Sequence, residues 1–202
     1  MNVRPAAVAG RFYPALAEDL IETLTEFIGA QTPGRVPKAL IVPHAGYRYS
    51  GALAGRACSL DLGEVERVVM FGPNHTAPLH GAAVPSHDYW RTPIGDVKVD
   101  TAEVRRLAER LDTAVDDEPH RSEHCLEVQI PFLQRVLGSE FKILPVLVGE
   151  MSLEASASLV RDCWGAPGTV VLVSTDLSHY LPYEQAQRMD QVTAETISLG
   201  AG

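Results

Sequence analysis

Apolar residues fall into two rhythms along this chain. Four short runs are apolar almost without interruption: 39–42 (ALIV), 68–71 (VVMF), 143–148 (ILPVLV) and 169–173 (TVVLV). Runs of that length predict strands buried on both faces. Between them, apolar positions recur at helical spacing. Leu16, Leu20, Leu24, Phe27 and Ile28 share one face over 15–28, and Val104, Leu107, Ala108 and Leu111 share another. Leu126, Ile130, Leu133 and Leu137 form a third face, where Pro131 predicts a kink. Residues 50–60, 152–164 and 183–198 also read as helices. Pro145 interrupts the third strand and predicts an edge or an irregularity there.

Strands alternating with helices predict an α/β fold: a mixed, mainly parallel sheet with helices on both faces. The stretch 81–99 (GAAVPSHDYWRTPIGDVKV) breaks the alternation with two short β pieces, which predict a hairpin. No repeat, low-complexity tract or long charge run divides the chain, so 1–202 reads as one domain.

Charge narrows the partners. A net charge of −9 and a pI near 5.2 argue against nucleic acid or an anionic membrane as ligand. No apolar stretch reaches the roughly 20 residues of a spanning helix, and the first residues lack the apolar core of a signal peptide. The expected location is the cytoplasm. The three cysteines, Cys58, Cys125 and Cys163, are odd in number and make no CxxC. They read as small buried hydrophobes rather than a disulfide framework or zinc ribbon.

Histidines mark the strand ends. In open α/β sheets, ligands bind beyond the carboxyl ends of the strands. There, 39–42 is followed by Pro43-His44-Ala45-Gly46-Tyr47, 68–71 by Gly72-Pro73-Asn74-His75, and 169–173 by Ser174-Thr175-Asp176 and then His179. If these strands are parallel neighbours, three imidazoles and one carboxylate line a single crevice. Neutral imidazole is the commonest metal ligand. Two histidines with one anion make a minimal site, and a third imidazole beside a carboxylate suits a general base. Asp176 and His179, three residues apart in a turn, can converge. His124 is expected at the start of an amphipathic helix capped by Ser122, where a neutral imidazole could donate to an anion or to dioxygen. His80, His87 and His120 read as surface residues.

These motifs, taken together and in order, resemble the Memo family, also called AmmeMemoRadiSam system protein B. The matching pieces are RPAAVAGRFYP (4–14), IVPHAGYRYSG (41–51), FGPNHT (71–76), WRTPIGDVKVD (90–100), SEHCLEVQIPFLQ (122–134), ILPVLVG (143–149) and STDLSHY (174–180). The resemblance implies a fold similar to the class III extradiol dioxygenases, which are non-haem iron enzymes. It implies His44 and His75 as metal ligands for Fe(II) or copper, His179 at the position of the catalytic base, and Asp176 and His124 in the same pocket. The family's proteins run past residue 202 and carry a ligand cysteine, beside a glycine, in that later segment. Cys58, Cys125 and Cys163 do not match it. The expectation is therefore a C-terminally incomplete Memo-like domain, or a third ligand from elsewhere such as Asp176 or water.

Three functions follow as expectations. The first is a metal-dependent oxidoreductase acting on a small molecule, in a pathway with AMMECR-type and radical-SAM partner proteins. The second is a non-catalytic scaffold that binds a ligand or peptide in the same crevice through Phe12, Tyr13, Tyr47 and Trp90. The third is a zinc hydrolase, which histidine-rich strand ends would also serve, although the chain has no HExxH.

Overall fold

The computed structural model describes residues 1–200 except Glu64 and Leu111, so the place of Leu111 on its helical face lies outside the described residues. Among the described residues, nine strands follow in chain order: β1 (Val3–Arg4), β2 (Ala39–Val42), β3 (Arg67–Pro73), β4 (Ala82–Val84), β5 (Tyr89–Thr92), β6 (Gly95–Val99), β7 (Thr113–Val115), β8 (Lys142–Val148) and β9 (Thr169–Ser174). Seven helices accompany them: α1 (Ala17–Ile28), α2 (Tyr47–Cys58), α3 (Thr101–Leu107), α4 (Glu118–Arg121), α5 (Ile130–Leu137), α6 (Leu153–Cys163) and α7 (Tyr183–Leu199).

The sheet runs β1-β5-β6-β8-β3-β9-β2, with β4 and β7 attached beside β8. Its centre is parallel: β3 pairs with β8 and β9, and β9 pairs with β2. The hairpin predicted within 81–99 is β5–β6, and β4 runs antiparallel to β8, so the sheet is mixed. β3 and β8 are buried along most of their length, as strands covered on both faces must be. The apolar core joins Val68, Met70, Ile143, Leu144, Val170 and Leu172 to Leu107 of α3 and Leu159 of α6. A second cluster packs Leu20 and Leu24 of α1 against Ala54 of α2 and Phe132 of α5. No helix among the described residues is long and apolar enough to cross a membrane.

Two proline readings change. β8 is central, not an edge. On its flank away from β3, it pairs with β6 at Lys142 and Ile143 and with β4 at Leu147 and Val148. Pro145 faces the gap between those short partners, where a residue without an N–H is tolerated. Pro131 does not kink a long helix. It lies in the first turn of α5, where its missing N–H costs nothing, and a short 3₁₀ turn (Glu127–Gln129) precedes it.

A buried ionic hub ties the start of the chain to this segment. Glu127 accepts from Arg4 Nη1 (2.6 Å), the Ala7 and Val8 amides (2.9 and 3.0 Å) and Tyr13 Oη (2.7 Å). Arg4 also lies over the Trp90 ring, and its remaining N–H groups donate to the His120 and Glu123 carbonyls. Every charge in the hub is paired, as burial demands.

Candidate metal centre

β2, β9 and β3 lie side by side, and their carboxyl ends deliver His44, His179 and His75 into one crevice. The nitrogens of these three rings that could bind a metal all lie within 4.8 Å of one another. His124 completes the cluster, with its ring 4.8 Å from His75 and 5.5 Å from His44, centre to centre. Exposure rises across it: His44 is 1% exposed, His75 is 33% exposed, and His179 stands in solvent.

Hydrogen-bond partners fix which nitrogen of each ring carries the proton. His44 Nδ1 lies 3.1 Å from Ser174 Oγ. The single Ser174 proton goes to the Cys125 carbonyl at 2.7 Å, because a carbonyl can only accept. Ser174 Oγ must therefore accept, both from Gln129 Nε2 (3.1 Å) and from His44 Nδ1. His44 Nε2 is left with a lone pair. It is buried and makes no hydrogen bond, since the nearest acid oxygen, Asp176 Oδ2, is 3.8 Å away. Burial pushes the His44 pKa down to about 4, against the pull of Asp176, so the ring is neutral near pH 7. A buried imidazole lone pair aimed into a histidine crevice fits a metal cation.

His75 is set the same way by a different partner. Glu123 Oε1 accepts from its Nδ1 at 3.0 Å, and Glu123 Oε2 from its backbone N–H at 2.6 Å. His179 Nδ1 donates to the Leu177 carbonyl at 2.9 Å. All three rings thus hold their proton on Nδ1 and leave Nε2 open.

The loop that carries His179 is fastened from two sides. Thr175 N–H donates to the Val42 carbonyl, and Ser178 N–H to Asp190 of α7. Leu177 and Tyr180 both adopt positive φ, at 60° and 59°, which side chains other than glycine rarely do.

Several sequence expectations change. Asp176 turns Oδ1 to the His44 and Ala45 amides (2.6 and 3.2 Å), so it shapes the PHAG loop, while His179 is oriented by Leu177. Ser122 does not cap a helix over His124; it ends α4, and His124 sits in the irregular stretch that follows, with Nδ1 3.1 Å from Glu123. His120 is fully buried beneath Trp90, with Nε2 donating to the Ala83 carbonyl. His87 is largely buried beside Asp117, whereas His80 is exposed. Tyr13, Tyr47 and Trp90 belong to the core. Phe12 alone of the four aromatics reaches the cluster, with its ring 4.5 Å from His124.

Sequence reading passed over Glu123, Ser174 and Gln129. His75, Glu123 and Cys125 also lie close enough to share an ion. Both Glu123 oxygens are already filled by N–H donors, however, and the Cys125 thiol donates to the Pro73 carbonyl at 3.0 Å. Burial, reinforced by Glu123, pushes the Cys125 pKa up and keeps it a thiol. This trio is support, not a second site.

The model of a family described as "Memo-like protein" matches residues 4–200. A "MEMO1 family protein" of Aeropyrum pernix is 37% identical over 99% of this chain and 78% of its own length. One from Archaeoglobus fulgidus is 41% identical over 96% of this chain and 75% of its own length, and one from Aquifex aeolicus is 40% identical over 95% and 73%.

Proposed function

The chain belongs to the Memo-like protein family, and from that premise we propose that it is a metal-dependent oxidoreductase with a dioxygenase-like pocket. His44 and His75 hold Fe(II) or copper through Nε2. The observation that carries this reading is the His44 Nε2 lone pair, buried and unpartnered, facing a second imidazole whose Nε2 is also open. A bound metal of this kind supplies redox chemistry and open positions for small ligands.

The protein's own groups do the rest. Ser174 and Glu123 keep the two ligand rings in register. His179, exposed and with Nε2 free, takes a proton from a small-molecule substrate entering from solvent. His124 borders the site with its own Nδ1 committed to Glu123. Asp176 Oδ2, 3.8 Å from His44 Nε2, is the third-ligand candidate beside His179 itself. AMMECR-type and radical-SAM proteins are proposed as pathway partners on the family resemblance alone. In a second reading, favoured by Phe12 against His124, the crevice binds a ligand or peptide without turnover.

One set of variants separates these roles. Metal analysis of protein purified without an affinity tag should show about one equivalent of iron or copper, abolished in His44→Ala/His75→Ala. Equal metal in the double variant would sink the proposal. His179→Ala should retain the metal and lose dioxygen consumption with catechol-type substrates. Loss of the metal instead makes His179 a ligand, and a flat oxygen trace in the parent protein favours the binding reading.

A further inference from the structure

We infer that Glu123 is the positioning residue of the metal centre, a buried carboxylate that sets the tautomer of His75 and locks His124 against it. The inference rests on the metal-site reading above and adds to it a residue outside the histidine cluster. Four donors converge on this one side chain. Oε1 receives His75 Nδ1 and the His124 and Cys125 amides, and Oε2 receives the His75 amide. His124 Nδ1 stands 3.1 Å from the same Oε1. The four hydrogen-bonded partners are all N–H groups, so the carboxylate acts only as acceptor, and the His75 ring must present Nδ1–H to it.

The arrangement has the form of a carboxylate–histidine–metal relay. A carboxylate behind the ring fixes its orientation, excludes the tautomer that would point N–H at the ion, and makes Nε2 a stronger donor. His44 has a neutral counterpart: Ser174 Oγ, itself forced to accept by the Cys125 carbonyl. The two ligands are therefore unequal by construction. His75 is the one backed by a charge, and His44 is the more buried one, backed by a hydroxyl.

Glu123 is in turn held from beneath. Arg4 Nη2 donates to its carbonyl at 2.8 Å, and Arg4 is clamped by Glu127. The carboxylate is 2% exposed. Burial alone would raise its pKa, but the His124, His75 and Cys125 N–H donors outweigh it and hold the group well below the ordinary carboxylate range.

The test uses the full chain stripped of metal. Long-range ¹H–¹⁵N spectra of the histidine rings at pH 7.5 should show His75 and His44 protonated on Nδ1. Co(II) titrated against a competing chelator should bind Glu123→Gln about ten- to a hundred-fold more weakly than the parent protein, with His75 no longer purely the Nδ1–H form. His75 found as the Nε2–H tautomer in the parent apoprotein would overturn the inference. So would a folded Glu123→Gln that binds Co(II) as the parent does. If that variant does not fold, the parent spectrum alone decides. A parent protein that binds no Co(II) would refute the metal site, while the tautomer result still judges Glu123.

Discussion

At the scale of the residue, this protein sorts its histidines by which nitrogen is committed. His44, His75 and His179 give up Nδ1 to an acceptor and keep Nε2 free, whereas His120 gives up Nε2 to Ala83. His44, His75 and His179 were legible in the sequence because they sit two to five residues past strand ends, a local signal. Glu123, Ser174 and Gln129 were not, because their roles come from partners far along the chain; Ser174 meets Gln129 across 45 residues. The role of Glu127 was hidden for the same reason. Its four donors all come from residues 4–13, so replacing one oxygen by an amide sets N–H against N–H and leaves Arg4 buried without its counter-charge. Glu127→Gln should cost about 3–5 kcal/mol of stability, seen as a lowered urea midpoint. A loss below about 1 kcal/mol would mean that water reaches the hub.

At the scale of the element, the apolar runs placed all four central strands within two residues of their observed ends, since a strand buried on both faces needs an unbroken apolar run. The helices were less exact. The face drawn over 104–111 gives a helix that ends at Leu107, and the one drawn over 126–137 resolves into a 3₁₀ turn followed by α5. What no single segment reveals is how closely two helices approach. A Cβ added at Gly55 of α2 would lie 2.6 Å from the Phe27 backbone carbon and oxygen at the end of α1, and backbone cannot swing aside as a flexible side chain can. Gly55→Ala should push α1 from α2 and cost about 1–3 kcal/mol. Gly34→Ala, where an added Cβ meets nothing within 4 Å, is the control. Equal urea midpoints for both variants would show that the helices shift freely.

At the scale of the whole molecule, neutral buried imidazoles make stability depend on pH. Burial, helped by the neighbouring Arg4 and opposed by the Ala83 carbonyl and Asp117, pushes the His120 pKa down to about 3, and burial pushes His44 to about 4. In the unfolded chain both titrate near the ordinary value of about 6.5. Below that pH the unfolded state binds protons that the folded state refuses, so stability is full above about 6.5 and falls as the solution becomes more acid. The carboxylates contribute in a lower window. For Glu123, Asp100 and Asp117, burial acts to raise the pKa, yet hydrogen-bond donors hold all three below their ordinary range. Their share begins to fall only below the unfolded values near 4 and is lost as pH drops on through their lower folded values. Between about pH 6.5 and 5 the histidines therefore dominate, each adding a slope of up to about 1.4 kcal/mol per pH unit. His120 isolates one such proton away from the metal centre. Gln in its place can still donate to the Ala83 carbonyl but cannot titrate. His120→Gln should flatten the pH dependence of the unfolding free energy across that window by close to one proton, read from urea transitions at half-unit steps. An unchanged slope would mean that His120 meets water in the folded protein, and that the core beneath Trp90 is open.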